Sequence, residues 1–401
     1  MKAEAEFDAI IYGATGFVGR LVAEHVMERF DLTRDQSWAL AGRSAERLDA
    51  LRRELGVPAL PVIVADADDA GAMLNLARRT LAVINVSGPY ARHGSKLVAA
   101  CVESGTDYLD LSGEPIWNRL MIDRHAAAAQ ASGARILFAC GYDSLPSELG
   151  VLLVQKVAQT DLGHPVERVK MRARSIIGTL SGGTAETVRH ALDAAKTDPA
   201  AMAILSNPYA LAPGFSGPQQ PEAAEVEFDS DIEEWVVPFI MNGTNAQNVH
   251  RSNFLQNHAY GAGLRYDEML VIQGANGIGA AKAAAAKHVW ANWDHTLGAG
   301  GPAVGEGPGR EEREAGSSDY LFVGLVGDGR QIRVAIGSDI DPGYGTTAKM
   351  IVETALCLAR DGAAVPGGIW TAGAALGPNL VDQLEAHAGM SFEIEQRPGT
   401  A

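Results

Sequence analysis

The run Gly13-Ala14-Thr15-Gly16-Phe17-Val18-Gly19 has the chemistry of an anion cradle. It follows an apolar stretch and opens an amphipathic one. In that context a glycine-rich turn presents bare backbone amides to the diphosphate of a dinucleotide. Gly13 suits the tight turn, Gly16 the approach of phosphates to the backbone, and Gly19 the packing of helix on sheet. The spacing is G-x-x-G-x-x-G rather than G-x-G-x-x-G. The bland alternative is a tight strand-to-helix turn that binds nothing.

Ala41-Gly42-Arg43-Ser44 closes the next strand. An enzyme that reads a free ribose 2′-hydroxyl usually places Asp or Glu there. Arg43 and Ser44 instead suit a 2′-phosphate, which a guanidinium can grip with two N–H groups. The expected cofactor is therefore NADP(H). Asp66 ends the third strand, where such folds contact the adenine, or else it caps the following helix.

Ligands of open α/β sheets sit beyond the carboxyl ends of the strands. Three segments leave those ends: Ser87 to Gly94, Ser112 to Pro115 and Cys140 to Ser147. Ser87, Gly88 and Pro89 would set the backbone against the cofactor. Tyr90, Glu114, Tyr142 and Asp143 can donate or exchange protons, and a hydride reduction needs one such donor. Tyr90 is the first choice, Tyr142 and Asp143 the second. The alternatives are a packed tyrosine with its hydroxyl bonded, and for Asp143 a turn or cap. His93 reads more readily as a cap or surface residue. Ser181-Gly182-Gly183-Thr184 offers amides for a carbonyl oxygen or merely a cap. Tyr344 lines a cleft or marks a hinge.

The elements that must position these residues follow from periodicity. Six short apolar strands are expected: Ala9–Tyr12, Trp38–Ala41, Pro61–Ala65, Ala82–Val86, Tyr108–Leu111 and Arg135–Ala139. Helical stretches separate them, from Val18–Arg29 to Asp123–Ser132. That pattern means a parallel sheet covered on both faces, the doubly wound Rossmann arrangement. Beyond residue 146 the pattern changes. Val166–Ile176 sets Lys170, Arg172 and Arg174 on one solvated face, so a second α/β domain with a mixed, largely antiparallel sheet is expected. Thr184–Lys196 reads as a helix, Asn207–Pro221 as a loop, and Gly298–Ser318 as a mobile one. Asp319–Val326 and Gln331–Gly337 flank Gly327-Asp328-Gly329 as a hairpin. Helices follow at Thr347–Arg360 and Leu376–His387. The expected domains are residues 1–146, residues 147–344, and helices within 345–390 that return to the first.

Composition excludes several classes. A chain of 401 residues exceeds one ordinary core. Its net charge of −16 argues against binding nucleic acid through phosphates. Cys101, Cys140 and Cys357 fit neither a zinc site nor a redox pair and suit a reducing, cytoplasmic setting. No metal motif, signal peptide or transmembrane span is expected.

Taken together, the segments from Tyr12 to Gly19, Ala41 to Ser44, Gly88 to Tyr90, Gly105 to Tyr108, Ser112 to Pro115, Cys140 to Ser144, Ser181 to Thr184 and Asp341 to Tyr344 resemble the saccharopine dehydrogenase-like oxidoreductases. The resemblance is closest to the bacterial trans-acting enoyl reductases of polyketide lipid synthesis. It implies NADPH reducing a carbon–carbon double bond conjugated to a thioester, with the acyl chain carried on another protein. It also implies a homodimer through the second domain. It fixes no catalytic residue. Gly274 to Glu314, with the alanine run Ala280 to Ala286 broken by Lys282, departs from the family's more apolar composition. Two other readings stand beside this one. A saccharopine-type imine or ketone reductase would need guanidiniums for substrate carboxylates, and Arg92, Arg172, Arg174 and Arg251 are available. The last reading is a protein that binds NADP or lipid without turnover.

Overall fold

The computed structural model describes residues 5–30, 37–178, 198–284 and 305–399. Two compact units emerge. The first comprises residues 1–142 and 347–383, the second residues 143–346 and 384–401.

The first unit is a parallel sheet. Its strands are β1 (Phe7–Tyr12), β2 (Trp38–Gly42), β3 (Val62–Val64), β4 (Thr80–Asn85), β5 (Asp107–Asp110), β6 (Arg135–Phe138) and β13 (Gly368–Thr371), in spatial order β13-β6-β5-β4-β1-β2-β3. The six expected strands are present. The order reverses between β1 and β4, which creates the crevice where doubly wound folds bind ligands. Helices α1 (Phe17–Arg29), α2 (Ala45–Glu54), α3 (Ala70–Arg78), α4 (Tyr90–His93), α5 (Ser95–Ser104) and α6 (Pro115–Ser132) connect the strands. Ile10, Ile11, Leu40, Val83, Ile84, Leu109, Ile136 and Leu137 are wholly buried, as near-continuous apolar strands require. Helix α6 starts eight residues before the expected Asp123. Pro115 occupies its first turn, where a missing N–H costs nothing, and Trp117, Met121 and Ile122 form its buried side.

The late helix Thr347–Asp361 lies against α1 through a buried ion cluster. The Glu353 carboxylate is fully enclosed and takes Oε1 contacts from His25 Nε2 at 2.9 Å and Arg29 Nε at 3.3 Å. Gln383 Nε2 donates to Oε2 at 2.5 Å. Burial would raise the Glu353 pKa, but His25, Gln383 and Arg29 outweigh it and hold the carboxyl below its ordinary value.

The second unit is a mixed sheet ordered β14-β12-β11-β7-β10-β9-β8. Its strands are β7 (Arg168–Ile177), β8 (Glu227–Asp229), β9 (Glu234–Pro238), β10 (Arg265–Ile272), β11 (Ser317–Leu325), β12 (Gln331–Ser338) and β14 (Met390–Gln396). Among the described residues of this sheet β7 and β10 pair in parallel, and the other pairs are antiparallel. Helix α7 (Leu145–Leu162) packs so closely on it that a Cβ at Gly150 would stand 2.3 Å from the Phe322 ring. The hairpin of β11 and β12 turns through Gly329 at φ +89°.

Two expectations change here, and the expected loop from Asn207 to Pro221 is present. The basic face of β7 is not solvated. Arg172 is 1% exposed and bonds Asp229 at 2.6 Å and Asp267 at 2.8 Å, while Lys170 reaches Asp229 and Asp231. A buried guanidinium is tolerated because carboxylates on β8 and β10 neutralise it. Residues 305–318 carry a short helix, Arg310–Glu314, and the start of β11 rather than one mobile loop. The stretch after Asn207 is held by the helix Asn242–Leu255, whose polar side chains are buried. Gln247 donates to the Ile204 and Asn207 carbonyls, and Arg251 to that of Leu211. An enclosed irregular segment needs such partners for its backbone. The expected helix Thr184–Lys196 lies outside the described residues.

Replacing Glu353 with Ala should cost about 3–5 kcal/mol, because buried His25 and Gln383 and partly exposed Arg29 all lose the carboxylate they share. Chemical denaturation at neutral pH measures this. In the parent chain the Glu353 contribution should be full above the unfolded pKa of 4.5 and vanish as pH falls through the lower folded value. An unchanged midpoint in the variant would contradict the assignment.

Candidate functional site

The turn after β1 is built by its own backbone. The amides of Gly13 and Ala14 donate to the Ala41 carbonyl, and that of Gly16 to Gly13. Gly13 has φ +87°, and a Cβ there would lie 2.9 Å from that of Ser87. At Gly19 a Cβ would stand 2.2 Å from the Gly13 carbonyl oxygen and 2.7 Å from the Ala14 Cα. Both positions require glycine for internal reasons. Gly16 does not. Its φ of −77° suits any residue, and a Cβ would meet only the Gly13 oxygen, at 3.3 Å.

Gly16 is also the N-cap of α1 and supplies no capping side chain. The next two helices are capped, α2 by Ser44 and α3 by Asp69. The start of α1 carries neither a capping side chain nor, at Gly16, any side chain at all. Bare amides and the positive end of the helix dipole suit a diphosphate. Ala14 and Gly19 are buried, whereas Thr15, Gly16, Phe17 and Val18 remain partly exposed. The residues present therefore fit a dinucleotide.

At the end of β2, Arg43 is exposed. Ser44 is engaged as a cap, its Oγ accepting from the Arg47 amide at 3.3 Å. Asp66 is exposed and closes a turn, its Oδ1 accepting from the Asp68 amide at 2.9 Å. Tyr12 is pushed up to about 12, first by burial, then by Asp66, with Arg43 opposing; both charges thus act on one hydroxyl at this corner. Arg47 is a neighbour that the strand-end pattern missed. Its Nη2 donates to the Thr15 carbonyl at 3.1 Å, which ties α2 to the glycine turn.

At the other side of the crevice, Ser87 is set by its amide bond to Asn85 Oδ1, Gly88 is exposed and Pro89 is buried. Tyr90 is an anchor. Its hydroxyl donates to the Asn85 carbonyl and accepts from the Leu111 amide, both at 3.2 Å, and its ring stacks on Trp117. Burial pushes its pKa far up. A hydroxyl so enclosed is poorly placed to deliver protons, which weakens the first choice for donor. Glu114 is engaged as well: its carboxylate accepts from the amides of Tyr90 and Ala91 at 2.6 and 2.9 Å.

Three strand ends are stitched together here. Asn85 Nδ2 donates to the Tyr108 hydroxyl, and that hydroxyl donates to Asp110 Oδ2, each at 2.9 Å. Asp110 Oδ1 accepts from the Ser112 and Ala139 amides. Past β6, Gly141 has no room for a Cβ beside Leu111 and Thr347, and the Tyr142 amide donates to Thr347 Oγ1 at 3.0 Å. Tyr142 itself is partly exposed.

Asp143 is the first residue of the second unit. Although the residue is partly exposed, its Oδ1 is enclosed and has no hydrogen-bond partner. Burial raises its pKa to about 7. In the same unit Tyr344 is buried, in a turn whose amides are held by Asp341. Residues 181–184 lie outside the described residues. No cluster of potential metal ligands occurs among the described residues, and no described helix is long and apolar enough to cross a membrane.

A family profile described as the saccharopine dehydrogenase NADP-binding domain matches residues 9–137, which span β1 to β6. A putative trans-acting enoyl reductase of Mycobacterium tuberculosis is 36% identical, with 97% of each chain covered. Trans-acting enoyl reductases of Mycobacterium bovis and Mycobacterium ulcerans are each 34% identical, over 95% and 96% of this chain and 96% of each relative. The chain belongs to this saccharopine dehydrogenase-like family of oxidoreductases. Saccharopine dehydrogenase of Saccharomyces cerevisiae shares the fold at 11% identity, with a TM-score of 0.52 over 97% of this chain and all of that one. The family places an NADP-binding domain on the unit that carries the glycine cradle.

The glycines should separate by experiment. Gly19→Ala should fail to fold or lose several °C in Tm, since backbone must move to admit the methyl group. Gly16→Val should keep its Tm within about 2 °C, since only one backbone oxygen must give by a few tenths of an ångström, yet lose NADPH affinity at least tenfold in a fluorescence titration. Equal affinity in Gly16→Val and the parent would remove the cradle from the site.

Proposed function

We propose that this oxidoreductase uses NADPH to reduce the carbon–carbon double bond of an α,β-unsaturated acyl thioester carried on a partner protein. The observation that supports it most directly is the helix start left without a side chain at Gly16 in a chain that matches named enoyl reductases along nearly its whole length. The chemistry NADPH supplies when bound is a hydride for the β-carbon.

The chain's own residues account for the rest. The Gly13–Gly19 turn binds the diphosphate. Arg43 takes the 2′-phosphate, with Arg47 beside it and anchored to the same turn. Ser87, Gly88 and Pro89 set the wall that Tyr90 anchors. The α-carbon must receive a proton, and Asp143 is our preferred source. Its carboxyl is close to half-protonated at neutral pH and has an oxygen bonded to nothing else. Tyr142, its neighbour in the chain, is the second candidate.

The saccharopine-type reading loses much of its support. Arg172 is consumed by Asp229 and Asp267, and Arg174 by Asp319 and Glu395. Arg251 is buried and bonds the Leu211 carbonyl. These groups serve the second unit's own structure rather than substrate carboxylates.

Purified chain should oxidise NADPH in the presence of an enoyl thioester and prefer it to NADH. Arg43→Ala should weaken NADPH binding roughly 10–100-fold, the worth of a charge-assisted bond, and leave NADH nearly unchanged. Asp143→Asn should lower kcat by about 10²–10⁴. In the parent, kcat should fall as pH rises through about 7, because the donor must be protonated. Absence of turnover across a panel of chain lengths would refute the reaction, and a flat pH profile would refute Asp143.

A further inference from the structure

We propose that Asp110 is a positioning residue: its ionised carboxylate holds the loops leaving β4, β5 and β6 in their binding arrangement, and its protonation releases them. This inference rests on the assignment of those loops to the reacting end of the site.

The geometry fits the ionised form. Oδ1 accepts two amides, Ser112 at 3.0 Å and Ala139 at 3.1 Å. Oδ2 accepts the Tyr108 hydroxyl at 2.9 Å, and the Tyr108 oxygen already accepts from Asn85 Nδ2. A proton on Oδ1 would press against two donors. A proton on Oδ2 would point at an oxygen that already holds a hydrogen, and would turn the Tyr108 hydroxyl hydrogen away from its acceptor. Tyr108, Asn85 and Asp110 are all fully buried, so water cannot substitute.

The loops need this support. Ala139 sits at φ +60°, a region that a residue with a Cβ rarely adopts, and its amide is fixed by the carboxylate. The next amide, Cys140, donates to the Asp110 carbonyl at 2.8 Å. Asp110 therefore holds the start of the β6 loop through side chain and main chain together. Through Tyr108 and Asn85 it also reaches the β4 loop, where Asn85 Oδ1 fixes Ser87.

The groups facing this carboxylate are Tyr108 on its own strand, Glu114 from the following loop, and Tyr90 from α4, which also faces Cys140 beyond β6. Burial dominates and raises Asp110 to about 7; the Ser112 amide, the Tyr108 hydroxyl and the Ala139 amide oppose it, and Glu114 adds to it. The sign for global stability is opposite to that for the loops. Between the ordinary value of 3.8 and about 7 the folded chain holds the extra proton, so ionisation lowers overall stability as pH rises through this window. The charge is costly to the fold and useful to the loops.

Hydrogen exchange by mass spectrometry on the cofactor-free chain across neutral pH, corrected for intrinsic rates, tests this. Peptides covering residues 86–94, 111–116 and 139–142 should exchange about tenfold faster below the transition than above it, the worth of a bond to a charged group. Asp110→Asn should show the fast rate at every pH while its Tm above neutral pH is equal to or higher than the parent's. A merely structural role would instead lower Tm. Tyr108→Phe removes a bond that favours the ionised form and should move the transition to higher pH, which provides the test if Asp110→Asn does not fold. Persistence of the parent's transition in Asp110→Asn, or of its midpoint in Tyr108→Phe, would overturn the inference. NADPH added to the parent should protect the 13–19 peptide. Failure there would count against the proposed function alone, and the loop peptides would still decide the role of Asp110.

Discussion

The crossing of β1 and α1 is the tightest constraint in the first unit. A single methyl group at Gly19 would stand 2.2 Å from a carbonyl oxygen of the preceding turn, and one at Gly13 would meet Ser87 at the end of β4. The two central strands and the first helix are therefore registered by contacts between main-chain atoms. Main-chain contacts leave no slack for side-chain repacking. Everything placed at the strand ends inherits that precision, including the uncapped helix start at Gly16. The absence of a side chain at Gly16 carries meaning because, unlike Gly13 and Gly19, its backbone and its one neighbour at 3.3 Å do not demand it.

Much of this unit was legible because its signals are local. The six strands are apolar runs and the glycine turn is a short motif. Helix α6 was legible only in its second half, since Trp117, Met121 and Ile122 form too sparse a stripe to be read ahead of the alanine-rich stretch. Strand β13 was missed: four residues, Gly368-Ile369-Trp370-Thr371, give no periodicity, and only pairing with β6 makes them a strand. Strand β14, Met390–Gln396, was missed for a related reason. It alternates, but no turn signal tied it to β12, its partner more than fifty residues earlier.

The site divides along the same line. Gly13 and Gly19 were readable from type and spacing as positions where the backbone admits no side chain. Tyr90 stood out in the sequence, but a sequence does not show that its hydroxyl is bonded to Asn85 and Leu111. Arg47 and Asp110 were invisible for the same cause: their roles lie in bonds to groups distant in the chain. The row Lys170, Arg172 and Arg174 looked like a surface. Its neutralising acids, Asp229, Asp267 and Asp319, come from three other strands, and no local pattern announces them.

The late arrival of β13 bears on how the chain is made. The first 142 residues contain the cradle and six strands, yet the sheet stays open along β6 until Gly368–Thr371 is added, when synthesis is almost finished. During that interval the nascent chain presents an unpaired strand whose Ile136 and Leu137 are wholly buried in the finished fold. Residues 143–346, most of the second unit, emerge from the ribosome while that edge waits. A messenger truncated shortly before Gly368 would yield a product that holds the nucleotide turn but keeps a sticky flank, a natural target for chaperones and proteases.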